Sequence, residues 1–297
     1  MKRFTIKIFG LLAATMLVSA ARAQKEFLVC GDTKVLVVDY EKSKDTIPHI
    51  KWEWDASQDM QLPEVYRKQK FRSMDDCKLS ADGKQLLVSS SSGGIALLSY
   101  PDKKLLFLTE VGNAHSIEFL PGGLIAVAGS IHAKGNSVEI YNPAVSDQPL
   151  AKDSLYSGHG LVWHSKRKVL YALGYDVLRA YSLDIKSPRN PKLTLLKEWK
   201  IPGQSGHDLF MTADGKQLYI TEHTSAWAFD IAREKFSAIS DFPTKENIKS
   251  IGRNRAGQII YTEPEESWWT FSVRFLHPER KFGFPGMKVY KARWARL

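Results

Sequence analysis

"SGHGLVWHSKRKVLYALG" at Ser157–Gly174 and "SGHDLFMTADGKQLYITE" at Ser205–Glu222 lie over one another without a gap, matching Gly158 with Gly206, His159 with His207 and Tyr171 with Tyr219. "DDCKLSADGKQLLVSS", from Asp75, shares the ADGKQL core of the second copy. "HSIEFLPGGLIAVAGS", from His115, and "KSIGRNRAGQIIYTE", from Lys249, follow with one or two deletions. The phrase therefore starts at Asp75, His115, His159, His207 and Lys249, with spacings of 40, 44, 48 and 42 residues. Self-similarity at such a period marks an array of supersecondary units, none of which can bury its apolar face alone.

Each unit reads as strands. An apolar segment meets an Asp-Gly or similar turn and is followed by a β-rich run such as Gln217 to Thr221. A third run follows, such as Ala226 to Asp230 or Ser137 to Tyr141, and then a weaker fourth, such as Leu105 to Thr109. Beyond residue 23 no window carries a 3.6-residue apolar period, so the chain is all-β. Four strands in 40 to 48 residues make a propeller blade. Phe27 to Ala56 supplies three strands without an innermost one, and five units follow, so the spacing predicts a six-bladed β-propeller closed by the chain termini. Trp268 to Trp294 holds two candidate strands, either of which could close the ring.

The amino terminus reads as a leader. Lys2, Arg3 and Lys7 precede an apolar run from Ile8 to Val18 and a small-residue cleavage site at Ala21-Arg22-Ala23. The expectation is a signal peptide over residues 1–23 and a single propeller domain over 24–297, periplasmic or secreted, monomeric and without a membrane span. The formal charge of +10 falls to +6 (10 − 4) without Lys2, Arg3, Lys7 and Arg22. The basic residues are scattered, with no block of five and no nucleic-acid motif, so nucleic acid is not an expected partner. Cys30 and Cys77 are the only cysteines, and their spacing does not decide whether they pair.

Over essentially the whole mature chain these repeats resemble the β-propeller superfamily. The Gly-His and Asp-Gly-Lys phrasing is similar to WD40 repeats, although Phe229-Asp230 and Leu183-Asp184 stand where the Trp-Asp signature would close each repeat. The chain also resembles small exported six-bladed propellers of gut Bacteroidota, a likeness that implies an association with saccharide degradation. The WD40 likeness alone would make His159 and His207 fold residues at a blade edge. However, only five residues separate His207 from Thr212, about half the WD40 interval. At roughly 3.3 Å per residue this moves the imidazole to the mouth of the innermost strand.

Equivalent positions of innermost strands form a ring around the axis. Asp75, His115, His159, His207 and Lys249 there suit binding better than packing, because desolvating them without partners costs several kcal/mol. The loops between second and third strands open on the same face and bring Tyr175, His132, Glu222, His223, Glu263 and Glu266 near, with Asp76 beside the ring. Trp268 adds an aromatic plane of the kind that suits sugar rings. The candidate catalytic residues are His115, His159, His207, Tyr175 and Lys249. The candidate ligand-binding residues are Asp75, Asp76, His132, Glu222, His223, Glu263, Glu266 and Trp268. His115, His159 and His207 could hold a divalent metal ion, the one cofactor the sequence suggests. The expected ligand is a saccharide or another small polar molecule, bound or processed. The alternatives are a metal-dependent lyase, a hydrolase using Glu222 and Glu263, and a non-catalytic propeller that binds a partner protein.

Overall fold

The computed structural model describes residues 26–187 and 189–295, and the expected leader at 1–23 lies outside them. Among the described residues, strands form six four-stranded antiparallel sheets, each a blade. Blade 1 is built from both ends of the chain: Val289–Trp294 is innermost, followed outward by Glu26–Gly31, Lys34–Lys44 and Ile47–Asp55. Phe27 lies opposite Trp294 and Leu28 opposite Arg293, so the last strand is hydrogen-bonded into the first blade and closes the ring. The strands that precede it in the same stretch, Ser272–Leu276 and Arg280–Gly283, are the outer strands of blade 6. Innermost strands Met74–Leu79, Ala114–Phe119, Gly160–His164, Asp208–Met211 and Ser250–Arg253 begin blades 2 to 6.

The repeated phrases form repeated turns. In Ser80-Ala-Asp-Gly83 and Thr212-Ala-Asp-Gly215 the glycine N–H donates to the first carbonyl at 2.8 Å in both copies. Both glycines have positive φ, 68° and 69°, which glycine adopts without steric cost. Ser80 and Thr212 hydroxyls donate to Asp82 and Asp214, fixing the same hairpin twice. Upstream, Asn113, Ser157, Ser205 and Asn247 all take positive φ, 52° to 58°, two residues before the ring position. There the chain turns from an outermost strand back to the axis. Gly206 follows one such turn against the neighbouring blade, where an added Cβ would lie 2.5 Å from the Gly174 carbonyl oxygen.

Apolar faces are buried between blades. Phe27, Tyr40, Phe275, Phe282 and Trp294 interlock between blades 6 and 1, with Phe27 and Phe275 centroids 5.1 Å apart. Each such ring contributes about 1.5–3 kcal/mol by burial. Along the axis the core is charged instead. Arg293 on the closing strand reaches Asp76 of blade 2 and Asp208 of blade 5, both at 2.6 Å, and Lys291 lies 3.3 Å from Asp208. Arg293 and Lys291 against Asp76 and Asp208 balance in charge. Burial raises the Asp76 carboxyl, yet Arg293, Lys78 and Lys291 together hold it well below the usual carboxylate range. This network joins blades 1, 2 and 5 across the axis.

The two cysteines come from blades 1 and 2 and lie in one core cluster as free thiols. Burial, followed by the neighbouring Cys77 thiol, pushes the Cys30 thiol well up.

Candidate functional site

The mouth is built by one irregularity repeated six times. In blades 1, 2 and 3 the pairing of the innermost strand skips Tyr290, Asp75 and His115, each an extra residue in a β-bulge. In blades 4, 5 and 6 the N–H groups of His159, His207 and Lys249 donate to the carbonyls of Leu173, Thr221 and Thr262. Those same residues pair with Gly160, Asp208 and Ser250, so again two residues oppose one. Bulges re-aim side chains, and here they turn six toward one opening. Five are the residues expected from the repeat. The sixth, Tyr290, lies on the closing strand, which lacks the repeated phrase.

The six side chains pack on one another. Asp75 Oδ1 is 3.1 Å from His115 Nδ1. The His115 and His159 rings stack at 4.2 Å between centroids, and His159 meets His207 edge-on at 5.9 Å. Lys249 Nζ lies 2.8 Å from His207 Nε2, and Tyr290 packs on His115 at 5.6 Å. The imidazoles thus meet through faces and edges, and among the described residues no group of three His, Cys, Asp or Glu side chains is arranged to hold a metal ion. The three-histidine metal site expected from the sequence is not formed: stacked rings do not aim their nitrogens at a common point, and His159 Nδ1 is engaged by the Ser157 carbonyl at 2.9 Å.

Protonation follows from these contacts. Burial, then the Lys249 charge, pushes His207 down to about 2, so its ring is neutral. Lys249 donates to His207 Nε2, which places the ring proton on Nδ1. His207 Nδ1 is buried and has no hydrogen-bond partner among the described residues. Burial, then His115 and His207, holds His159 well below its ordinary value. With its proton directed to Ser157 O, His159 keeps Nε2 as an acceptor. Lys249 is only 2 % exposed and, among the described residues, faces no carboxylate. Burial, then the Lys291 charge, lowers it to about 8. Its ammonium lies 5.1 Å from the ring centre of Trp268, which is 58 % exposed. Trp269 turns the other way and packs on Tyr290 at 5.6 Å.

Several other candidates serve the fold. Asp76 is fully buried in the axial network and is not at the mouth. Glu222 is also fully buried, accepting from Thr224 N, Thr224 Oγ1 and Trp227 Nε1, so it holds its own turn together. Glu263 is held by Lys245 at 2.9 Å and Arg274 at 3.4 Å. Both carboxylates are thus committed to internal partners. Glu266 exchanges backbone hydrogen bonds with Trp269 and shapes the turn that presents Trp268. Tyr175 packs on Tyr156, and its carbonyl accepts from Gly206 N–H. His223 is exposed beside the mouth and adds to the field that keeps His207 neutral. His132 lies off the axis, with Nδ1 accepting from Lys134 N–H, and lines a cavity of about 770 Å³ between blades 2 and 3. The ring, not this roomier cavity, holds the buried polar groups without partners, so it is the stronger candidate.

Comparison with known proteins places the fold and family. A chain of the nidogen/laminin complex superposes with a TM-score of 0.63 at 14 % identity, covering 91 % of this chain and 98 % of that one. The hydrazine synthase of Kuenenia stuttgartiensis gives 0.51 at 14 % identity, covering 67 % of this chain and 61 % of that one. At such identities the likeness shows the fold alone. No curated protein matches the chain in sequence. Residues 23–296 match the model of a single family, and the chain belongs to the family described as "Family of unknown function (DUF6528)".

Proposed function

We propose that the channel mouth binds an acidic saccharide, with the carboxylate of a uronate unit seated on Lys249 and its ring face on Trp268. The observation that carries this reading is a buried ammonium, 2 % exposed, whose described hydrogen-bond partner is a neutral imidazole. A buried charge without a counter-ion costs several kcal/mol, and an incoming carboxylate offsets that cost. Lys249 has donors to spare beyond the one that His207 Nε2 accepts. An ammonium with free donors suits a carboxylate, because charge-assisted hydrogen bonds are the stronger ones.

The rest of the mouth suits a sugar. Trp268 offers an exposed apolar plane next to the cation, where the C–H face of a pyranose can lie. His159 Nε2 and Asp75 supply acceptors for hydroxyls across the opening. Calorimetric titration with glucuronate and glucose tests the assignment. Glucuronate is expected to bind and glucose to bind at least tenfold more weakly, with Lys249→Met abolishing the difference. Equal affinity for the two sugars in the wild type refutes it.

A further inference from the structure

The chain has two cysteines, 47 positions apart (77 − 30). Cys30 lies on Glu26–Gly31 of blade 1 and Cys77 on Met74–Leu79, the innermost strand of blade 2. The fold brings them together in the core between these blades, 0 % and 1 % exposed, with their thiols in hydrogen-bonding contact. This is also where the ring closes. Cys30 stands opposite Lys291 of the closing strand, and its thiol donates to the Lys291 carbonyl at 3.6 Å. Cys77 follows Asp76, which accepts from Arg293 of the same closing strand. The closing strand is thus joined to blade 1 by backbone hydrogen bonds and to blade 2 by an ion pair. Both links are noncovalent, and the two sulfurs lie beside them.

We infer that Cys30 and Cys77 are a redox site, joined by a disulfide when the chain folds in the presence of a disulfide oxidant such as oxidised glutathione. Each thiol gives up one proton and one electron as the new S–S bond forms. The S–S bond of the oxidant breaks, takes up both electrons and leaves as two thiols. Such exchange runs through a thiolate and needs access to it. The folded protein offers neither, because both sulfurs are buried and burial pushes the Cys30 thiol well up. The bond therefore forms during folding, before the two blades close over it, and the folded protein keeps the redox state in which it folded. Export directed by the leader expected at residues 1–23 would place that folding where disulfides persist. The bond ties the strand that carries the ring closure to blade 2. It also shortens the unfolded chain by a long loop, which is how disulfides stabilise most.

Refolding the protein from urea in a mixture of reduced and oxidised glutathione, then mapping its peptides by mass without reduction, tests the pairing. A peptide pair joined through Cys30 and Cys77 is expected. Two free thiols, or glutathione attached to either cysteine, overturn the proposal, and this measurement needs no variant to fold. The disulfide form is expected to melt about 5–10 °C above the form refolded with reductant. Cys77→Ala is expected to melt at one temperature under both conditions. Equal melting temperatures for the two wild-type forms, or a redox-dependent shift that survives in Cys77→Ala, overturn the claim that this bond strengthens the closure. Oxidised glutathione added to the folded, reduced protein is expected to leave both thiols free when they are counted after denaturation. A disulfide formed there as fast as during refolding overturns the claim that the bond must precede closure.

Discussion

Replacing Lys249 by methionine should make the unliganded protein more stable. Burial and the Lys291 charge lower this amine from its ordinary 10.5 to about 8. That displacement corresponds to about 3 kcal/mol of disfavoured charge at neutral pH. Methionine fills a similar volume without the charge, but His207 Nε2 loses its donor, which costs about 1 kcal/mol. The net expectation is a gain of about 2 kcal/mol at pH 7. Its pH dependence distinguishes it from ordinary packing. Below pH 8 both folded and unfolded wild type carry the proton, so the full penalty is present. Between about 8 and 10.5 the folded protein releases the proton first, and wild-type stability rises relative to the variant. Urea unfolding of both proteins at pH 7 and pH 10 measures the effect. The advantage of Lys249→Met should shrink by about 2–3 kcal/mol over that interval. A variant less stable than wild type at pH 7, or a difference that does not move with pH, refutes the claim that Lys249 is an uncompensated buried charge.

Further expectations concern the scaffold and the platform. Arg293→Met leaves Asp76 and Asp208 buried without their shared cation and should cost about 3–5 kcal/mol in denaturant unfolding. Asp76, held well below its ordinary value, stabilises the fold above the unfolded carboxyl pKa. That contribution should be lost as pH falls below about 4, seen as a Tm that drops more steeply with acid in wild type than in the charge-free double variant Asp76→Asn, Arg293→Met. Gly206→Ala drives a methyl to 2.5 Å from the Gly174 carbonyl and should destabilise by about 1–3 kcal/mol, measured in the same way. Trp268→Ala, at a 58 % exposed position, should leave Tm unchanged but weaken uronate binding about tenfold.

Much of this architecture is legible in the repeat. The ADGKQL turn forms the same hairpin wherever it occurs, and the period fixes the blade count because each unit must bury its faces against the next. The ring residues are legible for the same reason, since equivalent positions in a closed array share one radius. What the repeat does not contain is the closing strand. Val289–Trp294 puts Tyr290 at the shared ring position but lacks the repeated phrase, and its Lys291 and Arg293 supply the cations that neutralise Asp76 and Asp208. Nor does sequence distance reveal which carboxylates are consumed locally. Glu222 reads as a loop acid near the mouth, yet a threonine two residues on and a tryptophan five residues on occupy both its oxygens. The packing of the three imidazoles through faces and edges is likewise a property of ring planes that residue spacing does not encode.

A crystal structure of the protein soaked with glucuronate at pH 7 tests the central claim most directly. The account predicts the carboxylate within hydrogen-bonding distance of Lys249 Nζ, with the pyranose face against Trp268. A glucuronate bound elsewhere, or bound at the mouth with its carboxylate turned away from Lys249, contradicts it.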